Sequence, residues 1–386
     1  MKILWISQRG QCLPLVKRMQ EEGDDVLLYI RQRPSELVGL GIVEQAPTWK
    51  SIYMDQDLIC FDDWELNYLT KSFNQFEGVL FGLNQIAGMA NASLVRQLQV
   101  FQRCNIRHVD CTVFESPGHA KDLLSAFPPQ GVAIIPGERT RGSEVKHICS
   151  RPELLEYALE LIPSDTKVVA IPLMPDSFEV VTTFWYNQTP QRYEARFVHC
   201  IAKGLAASVD KDRITEEAVK LVAFLNSANY RGPITIRWMV GEDVLQARSM
   251  TMGFEWDVWW AFQHCMQPPI SEFFTGGEEA RVNMVKWLAG THLLLGSEGH
   301  QTGLPIVGLP DDYQPHNLYR DNGAFRWAGS GRDLATVTKE VKKPSDAIAF
   351  FESELSGTLG TDVVRMQPNF RELEKTVRKI KRWGYI

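Results

Sequence analysis

The feature of this chain that most constrains its fold is a change of hydrophobic pattern near residue 112. Before that point apolar residues come in short unbroken runs separated by helix-length segments; after it, several runs alternate apolar and polar side chains. Lys2 to Ile6 reads as a buried strand, followed by a loop containing Gly10, a helix from about Pro14 to Glu22 and a strand at Val26 to Ile30. Leu15, Val16 and Met19 fall on one helical face, and Gly23 ends the helix. The apolar run Gly78 to Gly82, a helix around Ala92 to Cys104 and the segment Ile106 to Val109 continue the pattern. Together they predict a small parallel α/β domain.

Beyond it, a short helix near His119 to Ala126 precedes strands at Val132 to Ile135, Glu144 to Ile148, Val168 to Ile171 and Val180 to Tyr186. Alternation in Glu179 to Trp185 and in Ile234 to Met239 predicts mostly antiparallel strands with one buried face. Helices at Glu153 to Leu161 and Glu216 to Asn226 lie between them, so this section reads as α+β. A helix from Glu278 to Leu295 opens a third part, in which Gly303 to Leu309 and Leu334 to Thr338 bracket a loop rich in Gly and Asp.

Composition narrows the function classes. With 386 residues, 44% of them hydrophobic, the chain has enough apolar material for two to four domains or subdomains. A net charge of -6 gives the average surface no attraction for nucleic acid or anionic lipid, which leaves only a local basic patch to bind either. The seven cysteines form no Cys-x-x-Cys pair and are too sparse for a disulfide framework, so reduced thiols in a cytoplasmic setting are expected. The apolar opening is too short for a signal peptide, and no stretch approaches a membrane span of about 18 residues.

In order of segments the chain resembles the ATP-grasp superfamily, and within it the phosphoribosylamine–glycine ligases. Four stretches carry the resemblance: Lys2 to Met19; Phe76 to Gly82 with Asn105 to Val109; Phe114 to Leu124; and Gly303 to Leu309 with Leu334 to Thr338 and a helix at Pro344 to Leu355. The resemblance implies an N-terminal parallel α/β domain (1–112), a central two-lobed ATP-grasp region (113–275) and a C-terminal β-rich lobe (276–360). A basic C-terminal extension (361–386) lies beyond the family pattern. It also implies ATP as co-substrate and a reaction that joins a carboxylate to an amine, both small molecules, through an acyl phosphate.

The residues at the motif positions depart from the family. Gly10 is kept in the phosphate-recognising loop, where backbone N–H groups at a helix N-terminus favour an anion. Gln11, Cys12 and Leu13 stand where the family has charged residues, so the segment also reads as an ordinary strand-to-helix turn. Of the family's phosphate lysines only Lys121 is matched; an isoleucine of Val132 to Pro136 takes another's place. Arg139, Arg141 and Lys146, in the stretch matching the glycine-rich lid, are candidate phosphate ligands or simply an exposed charged hairpin. Glu179 matches a nucleotide-facing carboxylate, or forms the polar side of an alternating strand. Magnesium needs carboxylate oxygens on adjacent strands. Gln246 and Arg248 occupy those positions, with Arg237 near the other, so magnesium is doubtful and no metal ligand is assigned. Glu242, Asp243, Glu255 and Asp257 are the nearby acids that could supply one. Arg237 and Arg248 are instead candidates, with Gly10, for substrate binding; no catalytic residue is assigned.

Two further features stand apart. Phe254, Trp256, Trp259, Trp260 and Phe262 form an aromatic cluster whose helical spacing fits core packing or a flat ligand. Arg371, Lys375, Arg378, Lys379, Lys381 and Arg382 make the C-terminal segment basic, fitting a nucleic acid, a protein partner or a solvated helix face. The sequence therefore supports either a divergent ATP-dependent carbon–nitrogen ligase or a catalytically inactive relative serving as a binding or assembly module.

Overall fold

The computed structural model describes residues 1–255 except 9, 33–38, 40, 42, 83, 139–145, 175, 189–192, 203–204 and 210–211. It also describes 269–275, 287–295, 318–321, 324–331, 363–366 and 370–385. The N-terminal part is built on β1 (Lys2–Ser7), α1 (Leu13–Glu21), β2 (Asp25–Ile30), β3 (Leu58–Phe61), β4 (Val79–Phe81), α2 (Gln85–Asn91) and α3 (Leu94–Arg103). Its four strands are parallel in the order β2-β1-β3-β4. That order reverses direction between β1 and β3, the kind of switch point at which sheets of this type bind ligands beyond the carboxyl ends of the strands. Strand β1 is buried from Ile3 to Ser7, as its unbroken apolar run requires. β3 is not distinguished by the sequence pattern, because Leu58 to Phe61 is an apolar run of only four residues. Ile106 to Val109 joins a different sheet: the Val109 N–H donates to Ala247 O and the Ala247 N–H to Arg107 O.

A second sheet, ordered β5-β8-β6-β7, comprises β5 (Thr112–Phe114), β6 (Val132–Pro136), β7 (His147–Cys149) and β8 (Val168–Pro172). With α4 (Pro117–Ala120) and α5 (Pro152–Glu160) it forms a small lobe with its own core, including Val132, Ile134, Leu155, Leu159 and Val168.

Among the described residues the third sheet has nine strands: β9 (Phe178–Gln188), β10 (Tyr193–Ala202), β11 (Leu205–Val209), β12 (Gly232–Val240), β13 (Leu245–Met252), β14 (Trp287–Leu295), β15 (Leu318–Asp321), β16 (Ala324–Gly331) and β17 (Val363–Met366). Its order is β13-β12-β9-β10-β11-β14-β16-β15, with β17 also against β14. Residues 287–295 are strand and not helix as the sequence suggested. The segment contains Gly290 and Thr291, both weak helix formers, and β11, β16 and β17 supply ladder partners that local propensity does not register. The motif stretches 303–309, 334–338 and 344–355 lie outside the described residues, as do Trp256, Trp259, Trp260 and Phe262.

Alternation along β12 sends Ile234, Ile236, Trp238 and Val240 into the largest core, where they meet α3, α6 (Arg213–Ala218) and α7 (Val222–Ser227). The edge strand β13 is closed by two amide side chains. Asn91 accepts from the Met252 N–H and donates to Met252 O, and Gln97 Oε1 accepts from the Met250 N–H. The C-terminal helix Phe370–Arg382 belongs to this core too: Val377, Ile380 and Tyr385 are buried in it, while Lys375, Arg378, Lys379, Lys381 and Arg382 are exposed.

Candidate functional site

The opposite face of the large sheet mixes apolar and polar side chains, with Val181 in the core of the N-terminal part, so β9 is buried on both faces and not on one as its alternation suggested. Thr183 and Thr235 share a hydrogen bond of 2.9 Å across β9 and β12, and farther along the same face stand Glu179 and Arg237. In register Arg237 lies opposite Val181 on β9 and Ser249 on β13. A regular ladder would set Arg248 beside Trp238, on the apolar side. The register instead shifts between Arg237 and Trp238, so that Trp238 pairs with Ala247 and Arg248 becomes the extra residue of a β-bulge. Such an insertion re-aims one side chain. Here it delivers Arg248 to the face of Arg237, where its guanidinium binds Glu179.

The resulting cluster draws on four segments. Arg237 Nη1 donates to Glu179 Oε1 at 3.1 Å and its Nη2 contacts Glu255, which follows Gly253 (φ +137°) and Phe254 where the chain leaves β13. Arg248 holds the second oxygen of Glu179. Lys146, just before β7 of the small lobe, completes the group. Its ammonium is pushed below its ordinary pKa by desolvation and then by Arg248, Glu179 opposes the shift, and Arg237 lowers it further. Burial likewise works against the charge of Arg248, and Glu179 offsets it. Three cations thus face two carboxylates at the junction of the small lobe and the large sheet. One oxygen of Glu255 is buried and without a hydrogen-bond partner.

The arrangement does not suit a divalent cation. Arg237 and Arg248 set two guanidinium groups on adjacent strands, and two fixed positive charges repel a metal. Glu255 is engaged by Arg237, and Glu242 and Asp243 are exposed on the β12–β13 turn. Among the described residues no cluster of three or more His, Cys, Asp or Glu side chains could hold a metal. The chemistry of the donor set favours an oxyanion: a phosphate chain fits guanidinium and ammonium donors.

The other sequence candidates lie elsewhere. Lys121 is exposed on the 3-10 turn Lys121–Leu124 of the small lobe, outside this cluster. Arg139 and Arg141 fall outside the described residues. Gly10 is buried with φ +89°, the left-handed conformation that favours glycine. Its N–H donates to Ser7 Oγ at 2.5 Å, and Ser7 Oγ in turn binds Asp62, which follows β3. Asp62 also accepts from the Gln8 N–H at 2.9 Å. Burial first, and then Asp63, raise the Asp62 carboxyl to about 7. Sequence reasoning missed Asp62; the signal was the Asp62-Asp63 pair closing the apolar run Leu58 to Phe61.

No family model matches the chain, and no curated protein matches it. Solved structures do. A phosphoribosylamine–glycine ligase from Thermotoga maritima superposes with TM-score 0.61 at 14% identity, covering 90% of this chain and 96% of that one. A carboxyaminoimidazole ribonucleotide synthase from Aspergillus clavatus, complexed with ATP, gives 0.62 at 9% identity over 90% and 98%. The biotin carboxylase domain of the Hydrogenobacter thermophilus 2-oxoglutarate carboxylase, with MgADP and bicarbonate, gives 0.62 at 10% identity over 100% and 99%. The likeness spans nearly whole chains and is one of fold: this chain has the ATP-grasp arrangement that its order of segments suggested.

Proposed function

We propose that this chain is a divergent ATP-grasp ligase that couples a carboxylate to an amine, and that the charge opposing the ATP phosphates comes from Lys146, Arg237 and Arg248 in place of magnesium. The observation that carries the reading is that Arg237 and Arg248 share Glu179 on one face of the large sheet, with Lys146 of the small lobe within electrostatic range of all three. Phosphoryl transfer to a carboxylate yields an acyl phosphate and ADP; attack by the amine then forms the amide and releases phosphate. Such transfers depend on positioned positive charge more than on covalent help from the protein, and guanidinium groups supply it without a metal. Glu179 and Glu255 hold the two arginines in place until a phosphate chain competes for them.

A second reading rests on the same pairs: a nucleotide-binding module without turnover, favoured by the engagement of Glu179 and Glu255 with arginine. Calorimetric titration with a non-hydrolysable ATP analogue, with and without magnesium, tests the first step. Binding that does not depend on magnesium is expected. Binding followed by phosphate release on addition of carboxylates and amines supports the ligase, binding without release under the same screen supports the module, and an absence of binding overturns both.

A further inference from the structure

At the carboxyl ends of β1 and β3, where the strand order of the N-terminal sheet reverses, a strand-to-helix loop normally offers its free backbone N–H groups to an incoming anion. Here two of those donors, at Gln8 and Gly10, are already taken. The Gln8 N–H donates to Asp62 Oδ1 at 2.9 Å; the Gly10 N–H donates to Ser7 Oγ at 2.5 Å, and the Ser7 hydroxyl donates to Asp62 Oδ2. Asp62 is 1% exposed and Ser7 fully buried, so the whole set is internal. Cys12, at the start of α1, also faces this carboxylate. Gln8 Oε1 is buried and unpartnered, and it is an acceptor, the reverse of what an oxyanion requires.

We infer that Asp62 serves as the resident anion of the N-terminal loop and excludes phosphate from it, so that the amine acceptor of this protein carries no phosphate group at that position. The inference deepens the ligase reading and rests on it for the word acceptor; the exclusion itself is a property of the loop. A phosphate placed there would have to displace the carboxylate from the Gln8 N–H and Ser7 Oγ from the Gly10 N–H, and would meet the negative charge of Asp62 at close range, costs of the same sign. Asp62 is thereby a specificity-determining residue and not a catalytic one.

The test follows the backbone amides of Gln8 and Gly10 by NMR on the full chain at pH 8, where the Asp62 carboxylate is ionised, during titration with inorganic phosphate and, separately, ribose 5-phosphate. In the wild type neither amide shifts saturably at millimolar ligand. In Asp62→Ala both shift, with affinity at least tenfold higher, and Asp62→Asn gains less because its amide oxygen still accepts from Gln8. Saturable shifts of the Gln8 and Gly10 amides in the wild type overturn the inference, and this arm needs no variant. A folded Asp62→Ala chain that gains no binding overturns it as well. The ATP analogue, titrated in parallel, reports on the cleft at Lys146, Arg237 and Arg248, so failure of the ligase reading is seen separately from failure at the loop.

Discussion

Asp62 links the chemistry of one residue to the stability of the fold. Its carboxyl titrates at about 7 in the folded protein against an ordinary value of 3.8, so between those limits the folded state keeps a proton that the unfolded chain has lost. Stability therefore falls as pH rises from about 4 to 7, by roughly 4 kcal/mol if the whole shift is realised, and the full cost persists above that range. Denaturant melts at pH 4.5 and 7.5 are expected to show this loss in the wild type and a flatter profile in Asp62→Asn. The arginine cluster gives the second residue-scale prediction. Glu179→Gln removes the carboxylate that binds both Arg237 and Arg248, leaving like charges together beside Lys146. The variant is expected to lose about 1–3 kcal/mol of stability and, if the cations serve a phosphate chain, to bind the ATP analogue more tightly. Chemical denaturation and calorimetry on the same preparation check both halves.

Among the elements, β13 draws on side chains from outside its sheet. It is an edge strand whose outer backbone groups at Met250 and Met252 are satisfied by Gln97 and Asn91. Asn91 lies fully buried, so Asn91→Ala orphans an N–H and a carbonyl at once. A loss of about 2–4 kcal/mol is expected from the combined desolvation of both groups, measured as a shift of the urea midpoint with an unchanged slope. The same strand shows how far element-level reading of the sequence reaches. Alternation in Ile234 to Met239 gave the correct inward face for β12, because side-chain direction along a strand is a local property. It could not give the bulge at Arg248, since the register shift depends on what lies across the ladder. For the same reason Trp287 to Leu295 read as helix: its three strand partners lie far off in sequence.

At the scale of the whole molecule, the C-terminal helix ties the end of the chain to the middle of it. Val377, Ile380 and Tyr385 enter the largest core; the Tyr385 hydroxyl donates to Val244 O at 2.9 Å on the β12–β13 turn, and Trp383 stacks near Phe178 with ring centroids 5.8 Å apart. Arg213 of α6 lies over the Tyr385 ring at 4.7 Å and donates to Trp383 O. Truncation before residue 370 is expected to cost several kcal/mol, at about 1.5–3 kcal/mol for each large apolar side chain exposed, whereas Tyr385→Phe costs about 1 kcal/mol for its hydrogen bond. Thermal unfolding of the two variants separates packing from that single bond. The basic side of the same helix remains at the surface, so its apolar residues serve the core irrespective of any partner.

The sequence by itself determined the order of segments, the parallel character of the N-terminal sheet and the core-facing side of β12. Each of these follows from periodicity and short-range sterics, which act between neighbours in the chain. It also placed Arg237 and Arg248 on neighbouring alternating strands. Tertiary structure alone decided what those arginines do. Lys146, Glu179, Arg237, Arg248 and Glu255 meet only because three strands pair in a particular register and a small lobe sets one lysine against them. Likewise Ser7 and Asp62, 55 positions apart, close on each other because β1 and β3 are neighbours in the sheet. A buried carboxylate and an ion-pair cluster are products of desolvation and proximity, and both are set by packing across long sequence separations.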